Sequence, residues 1–447
     1  SEINYNALGG TGKSVSKMSS FFANASYSYL DKYILTGALR YDGSDIIGND
    51  NQFTPLWNVG LRWNLHREEF MKRWMWVDQF AVRGGFGYTG SIDKNALPFV
   101  VMTLGQSVIY DGQTVPTSFS YPNPNVKWQT KQDMNVGLDL SLFDYRLELG
   151  VNYYHNITRD VLDRKALPYS SGRSEVTENV ADIYNSGWEI DLGVTLLKNK
   201  SFQWYAKANI AINDNKVKNT YYKDTEDLPR ATLSNAHQFV ENQPVNGWYG
   251  YKFAGINPIN GAVMTYTGNG EATLDMSVSG ATWPTPSVFY LGNLTPPVVG
   301  GFSTSANWKQ LIFSANFEFK TGHKIKSFNT FRSLDARNRH TSEANRWREP
   351  GDITNVPAMS EAFTTYSSYM YDILLEKGNY LRCSYMTLGY NLKPEWLHKI
   401  GFSTARLSFT AKNLFTISSY SGIDPALMGS FGYPNSRKYT ITLNVGF

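Results

Sequence analysis

The chain has 447 residues, and its 42 Lys and Arg against 38 Asp and Glu leave a net charge of +4, too mild a balance to mark a nucleic-acid partner. A single cysteine, Cys383, excludes an internal disulfide framework and a Cys-based metal cluster, and no apolar run reaches the roughly 18 residues of a membrane helix. Aromatic residues make up 15% of the chain, with 29 Tyr, 25 Phe and 12 Trp, a surplus that interfacial girdles would use.

Taken in order, period-2 alternation marks the strands. Phe21–Tyr29 sets Phe21, Ala23, Ala25, Tyr27 and Tyr29 against Asn24, Ser26 and Ser28, then turns at Leu30-Asp31-Lys32. Tyr33–Tyr41 returns with Tyr33, Leu35, Gly37, Leu39 and Tyr41 opposite Thr36, Ala38 and Arg40. After a Gly/Asp/Asn-rich loop over 42–56, Trp57, Val59, Leu61, Trp63 and Leu65 alternate with Asn58, Gly60, Arg62 and Asn64. A connection over Met71–Asp78 leads to Phe80–Tyr88, with Arg83 on the polar side, and a long loop follows that ends in Tyr121-Pro122-Asn123-Pro124-Asn125.

Met134–Leu142 and Tyr145–Tyr153 form a hairpin joined at Phe143-Asp144, followed by another long loop. Trp188–Leu196 and Phe202–Ile210 meet across Lys198-Asn199-Lys200, and the largest insertion runs over 212–300. Phe302–Trp308 and Leu311–Phe319 pair across Lys309-Gln310; residues 320–379 read mostly as loop. Around Leu381–Leu392 the phase is ambiguous, because Met386, Leu388, Tyr390 and Leu392 compete with Leu381, Cys383 and Tyr385. Ala405–Lys412, a loop over Asn413–Arg437 and the strand Tyr439–Phe447 complete the chain, the last with Tyr439, Ile441, Leu443, Val445 and Phe447 on one face.

About thirteen strands with connections alternating short and long fit an all-β, antiparallel transmembrane β-barrel, with short periplasmic turns and long extracellular loops. The plugged outer-membrane transporters close at about 22 strands, so roughly nine more are expected upstream. Ser1-Glu2-Ile3-Asn4-Tyr5 is no secretory signal; the expectation is that one has been processed away or that residues 1–447 are the later part of a longer product.

Few constellations suggest chemistry. Ala7-Leu8-Gly9-Gly10-Thr11-Gly12-Lys13-Ser14 imitates a phosphate loop but has Ala7 where Gly is required, with no strand before it or helix after it. His66, His155, His237, His323, His340 and His398 are scattered without ligand spacing, so neither a metal site nor any cofactor is expected. Glu189 and Asp191 could form a carboxylate pair, yet polar lumen residues occur in any large barrel, and no enzyme is inferred. Arg40, Arg62, Arg83, Lys207, Arg406 and Lys412 fall on lumen faces, as ordinary polar wall or as a substrate-steering lining. The loop aromatics Trp248, Tyr249, Tyr251, Trp283, Tyr290, Trp347, Tyr369 and Tyr371 could stack on a substrate, or pack the loops against one another or a lid.

Several stretches together are specific. Leu35–Ser44, Asn185-Ser186-Gly187-Trp188-Glu189-Ile190, Gly250–Pro258, Arg346–Asp352, Tyr380-Leu381-Arg382, Leu388–Leu392, Asn413-Leu414-Phe415-Thr416 and Tyr420–Pro425, with the final aromatic strand, make the chain resemble the SusC/RagA-like TonB-dependent outer-membrane transporters. Asn257 stands where that pattern has Asp. The resemblance implies the C-terminal barrel portion of such a transporter over 1–447, without plug domain or first strands. It implies import of oligosaccharides or peptides with a SusD-like surface lipoprotein, coupling to TonB through the plug region, and a place in the bacterial outer membrane. Tyr439 and Phe447 would carry the aromatic assembly signal of the closing strand. The alternative is a passive diffusion porin, which needs neither plug nor lid.

Overall fold

A computed structural model describes residues 17–45, 52–92, 101–110, 113–120, 127–166, 170, 175–225, 239–274, 286–327, 341–358, 371–397, 401–428 and 432–447. Thirteen strands lie side by side in chain order in one sheet: β1 (Met18–Tyr29), β2 (Tyr33–Ser44), β3 (Phe53–Asn64), β4 (Val77–Ser91), β5 (Gln129–Leu142), β6 (Leu147–Ala166), β7 (Glu175–Lys198), β8 (Phe202–Lys218), β9 (Val298–Trp308), β10 (Leu311–Thr321), β11 (Tyr380–Asn391), β12 (Thr404–Lys412) and β13 (Lys438–Gly446). A short strand, Thr416–Ser418, also pairs with β11. Chain-order neighbours are what antiparallel strands joined by reversals produce.

The chain divides into two compact units, one of 1–62, 84–134 and 156–182, the other of 63–83, 135–155 and 183–447. In the first, β1 and β2 pair from Met18↔Ser44 to Tyr29↔Tyr33. Their apolar face, Phe21, Tyr27, Tyr29, Leu35, Leu39 and Tyr41, is open, as residues that contact lipid must be. Tyr41 stacks on Phe53 at 5.2 Å, and Trp57 lies 5.4 Å from Tyr88, extending the aromatic face. The loop expected after Tyr88 contains a hairpin, Val101–Tyr110 against Gln113–Ser120.

Strands also run past their expected ends. β6 has 20 residues and β7 has 24, so most of the loop expected between them is strand. At about 3.3 Å per residue the 24 residues of β7 span roughly 80 Å, far beyond an apolar band of about 25 Å. Beyond that band neither face meets lipid, so the apolar alternation that reveals a strand in sequence is lost. Tyr145 is a correction in the other direction: Phe143, Asp144 and Tyr145 all have φ near +60° (61°, 58° and 58°). Tyr145 is therefore part of the turn, its N–H donating to the Asp78 carboxylate at 2.9 Å. Leu65 likewise ends β3 by entering a 3-10 turn, Leu65–Arg67.

The second unit resolves the ambiguous phase. Phe317 pairs with Cys383 and Asn316 with Tyr385, leaving Ser384 as an extra residue in β11. Such a bulge shifts the alternation by one. Leu381 and Cys383 before it, and Met386, Leu388 and Tyr390 after it, therefore all oppose the odd residues of β10, while Tyr385 joins the polar face. At the same level β12 gives way to Thr416–Ser418 after Asn413, whose φ is +51°.

The expected loops over 212–300 and 320–379 also hold structure. Gly247–Gly250 pairs with Phe289–Asn293; Phe253–Ile256, Val263–Tyr266 and Ala272–Leu274 form a small sheet; Lys324–Lys326 pairs with Leu375–Lys377. The 413–437 connection is tied down by one buried ion pair. Arg382 on β11 donates from Nη2 to the Asp424 carboxylate at 2.5 Å and from Nε to Thr416 Oγ1 at 3.1 Å, with Glu318 of β10 at 3.7 Å. Asp424 also accepts from the backbone N–H groups of Ala426 and Asn435 at 2.9 and 3.3 Å.

Leu388 is 53% exposed on the apolar face of β11, so Leu388→Arg costs about 2–4 kcal/mol of stability in a bilayer. Ser408→Arg on the polar face of β12 stays within about 0.5 kcal/mol of wild type; urea unfolding in vesicles measures both. Arg382→Ala strands a buried carboxylate and costs about 3–5 kcal/mol, seen as rapid protease cleavage within 413–437. The double change Arg382→Met/Asp424→Leu restores much of the protection.

Candidate functional site

Two groups of residues are candidates: the aromatic residues of the insertions and the polar face of the strands. The first group folds inward. Tyr249, Tyr251 and Tyr371 are fully buried, in a cluster with Val240, Ile256 and Val263. Tyr251 and Tyr371 lie 6.1 Å apart, and Tyr249 lies 5.9 Å from Tyr290. Burial raises the Tyr249 and Tyr290 hydroxyl pKa values above the usual range, with Tyr290 adding to the effect on Tyr249. Trp248 is buried in a neighbouring cluster, its indole N–H donating to the Lys324 carbonyl at 2.9 Å. Trp283 and Tyr369 lie outside the described residues, as do Ala7–Ser14, His237, His340 and His398. The described rings are thus engaged in packing, with Tyr290 and Trp347 partly open at its margin.

Trp347 joins two distant segments. Its indole N–H and the Gly351 N–H both donate to the Pro258 carbonyl, at 3.1 and 2.8 Å. Its ring lies against Gly261, whose φ of +69° favours glycine and where a Cβ would collide with the indole. A second joint links the insertion to 413–437: Glu376 accepts from the Ser421 N–H at 2.8 Å and its hydroxyl at 2.6 Å. Burial alone would raise the Glu376 pKa, but hydrogen bonds from Ser327 and Ser421 outweigh it and hold the carboxyl below its usual range.

On the polar face the register aligns a row, Lys207↔Ser303↔Asn316↔Tyr385↔Lys412, across β8 to β12. Lys207 and Lys412 at its ends are exposed. The other cations named from sequence have partners: Arg40 pairs with Asp42 at 2.6 Å, Arg83 with Asp139 at 3.4 Å, and Arg406 donates to Asn391 at 2.7 Å; Arg62 also has a partner. Across β7 to β10, a cavity of about 600 Å³ is lined by Glu189, Asp191, Asn209, Asn316, Glu318 and Lys320, among others. It presents carboxylates and amides, which accept hydrogen bonds from hydroxyl, amide or ammonium groups.

Sequence reading missed the joints that hold this wall. Tyr154 on β6 donates to Asn213 Oδ1 at 2.7 Å, and its hydroxyl lies 2.5 Å from where a Gly187 Cβ would sit. The Gly187 of Asn185-Ser186-Gly187-Trp188 therefore makes room for Tyr154. His323 is buried beneath Gly378, and burial, with Lys320 nearby, lowers its pKa. Among the described residues no three His, Cys, Asp or Glu side chains converge as a metal site.

TonB-dependent receptor P3 of Formosa agariphila is 29% identical over 96% of this chain and 45% of its own length. TonB-dependent receptor SusC of Bacteroides thetaiotaomicron is 23% identical over 96% of the chain and 43% of its own. Among solved structures, that of the RagAB peptide transporter matches with a TM-score of 0.77 and 25% identity, over 99% of this chain and 50% of that one. The RagAB peptide importer in its open-open state gives 0.78 and 25%, over 99% and 49%. The chain thus spans about half the length of these relatives. Residues 3–318 match the family model for the TonB dependent receptor-like β-barrel, and the chain belongs to that family, as a SusC/RagA-like barrel chain of the bacterial outer membrane.

Proposed function

We propose that residues 1–447 are the C-terminal barrel portion of an importer, not an enzyme, that takes up nutrient oligomers, oligosaccharides or peptides, through the outer membrane. A SusD-like surface lipoprotein caps its long-loop rim, and TonB acts through an N-terminal plug region. The observation that carries this reading is the folded insertion: the described residues of 219–297 and 322–379 share an aromatic core, giving one rim a packed platform suited to docking a lid. A porin needs only short constricting loops. The likeness to the RagAB peptide transporter supports the same reading. Substrate contacts are assigned to the open margin of the aromatic cluster, Tyr290 and Trp347, and to Lys207 and Lys412 on the wall.

The test uses the full-length transporter in proteoliposomes. The intact protein passes no trisaccharide or tripeptide, a plug-deleted form leaks both, and cells lacking TonB fail to accumulate the cognate oligomer. Equal passive flux through intact and plug-deleted protein would establish the porin instead.

A further inference from the structure

Three short connections lie together at the rim opposite the insertions: the β7–β8 turn over 199–201, the β9–β10 turn over 309–310, and the segment after β11 that contains a one-turn helix, Pro394–Leu397. They are stitched side by side, the Lys309 N–H donating to the Ser201 carbonyl at 2.8 Å and the Asn391 N–H to the Gln310 carbonyl at 2.9 Å. This brings Lys198, Lys200, Lys309 and Lys393 to one sector, against Glu395 as the one carboxylate of 198–201, 309–310 and 391–397. All four lysines are exposed, and none makes a salt bridge among the described residues. Asn199 is occupied internally, its side chain accepting from the N–H groups of Ser201 and Phe202 at 3.0 and 2.8 Å.

Tryptophans flank the cations, Trp204 and Trp308 on the apolar face of β8 and β9 and Trp396 in the one-turn helix. Trp204, Trp308 and Trp396 are 39%, 54% and 54% exposed, and Lys393 Nζ lies 5.8 Å from the Trp396 ring centre. Indole rings settle at headgroup depth, which places the ammonium groups at the level of lipid phosphates. Beside Lys309 opens a cavity of about 670 Å³ whose lining includes the polar-face residues Asn391, Arg406 and Asn444 together with Ser403, Leu392 and Val445, and no Asp or Glu side chain. Ser403 also donates to the Phe447 carbonyl at 3.1 Å.

We propose that this sector binds anionic phospholipid headgroups of the periplasmic leaflet, phosphatidylglycerol in type, beside Lys309 of the middle turn and the lysines of the turns on either side of it, with the acyl chains along the apolar face. Short turns are periplasmic in outer-membrane barrels, and unpaired cations beside exposed tryptophans complement a phosphate above an acyl chain. The site is independent of what passes through the barrel.

Native mass spectrometry of the full-length transporter, titrated with dioctanoyl phosphatidylglycerol or dioctanoyl phosphatidylcholine, tests it. The wild type retains the anionic lipid in preference to the zwitterionic one, and retention falls as ammonium acetate rises. Lys309→Gln weakens retention about fivefold, and Lys198→Gln/Lys200→Gln/Lys309→Gln/Lys393→Gln abolishes the preference, while Lys438→Gln at the other end of β13 leaves it intact. Heat-modifiable gel mobility checks that each variant is folded, and the single variant stands if the quadruple one is not. Equal retention of the two lipids by the wild type, or an unchanged preference in folded lysine variants, overturns the proposal.

Discussion

The inter-strand hydrogen-bond ladder is the constraint from which the rest follows. In hydrocarbon no water can satisfy a backbone N–H or carbonyl, so each strand must be paired along its membrane-spanning length. Once paired, successive side chains point to opposite faces, and a strand between lipid and a wet interior must carry apolar residues on one and polar residues on the other. The register from β8 to β13 shows this, with Phe302 opposite Phe317 and Leu407 opposite Leu443, while Ser303 meets Asn316 on the other side. Even the irregularity obeys it: the extra residue Ser384 moves the apolar positions of β11 from odd to even, so that they stay on the lipid side.

Outside the bilayer this constraint lapses and another organises the chain. The insertions bury their own aromatic core and are fastened by joints between segments far apart in sequence. Pro258 meets Trp347, Tyr251 meets Tyr371, Glu376 meets Ser421 and Arg382 meets Asp424. Each joint supplies a hydrogen bond, an opposite charge or a ring face across segments distant in sequence, and at Arg382–Asp424 and Tyr251–Tyr371 it does so in a buried setting.

That division explains what was legible in the sequence. Thirteen strands and the segregation of short from long connections follow from period-2 patterning, because lipid imposes it on every spanning segment. Strand ends did not follow, since β6 and β7 continue past the lipid band, where nothing imposes strict alternation and apolar residues such as Ile157, Val161 and Ala181 are buried instead of facing lipid, and Tyr145 carries a strand's side chain on a turn's backbone. The motifs that carry the family resemblance were visible, but not why they are there. Gly187 makes room for Tyr154, Gly261 for Trp347, and the Asp424 of Tyr420–Pro425 neutralises the Arg382 of Tyr380–Arg382. A single sequence shows each half of such a joint without its partner. Loop aromatics were the least legible, because a tyrosine that packs a core and one that stacks on a ligand look alike until burial is known.

The central claim is that the inter-strand ladder, shifted at Ser384 in β11, divides lipid from interior. Nitroxide labels placed singly from 380 to 391 in the full-length protein, in lipid vesicles, test it through their accessibility to oxygen, which partitions into the bilayer, and to a water-soluble nickel chelate. The account predicts oxygen maxima at 381, 383, 386, 388 and 390, with the phase reversed across 384. A single uninterrupted alternation through all twelve positions, or none, would contradict it.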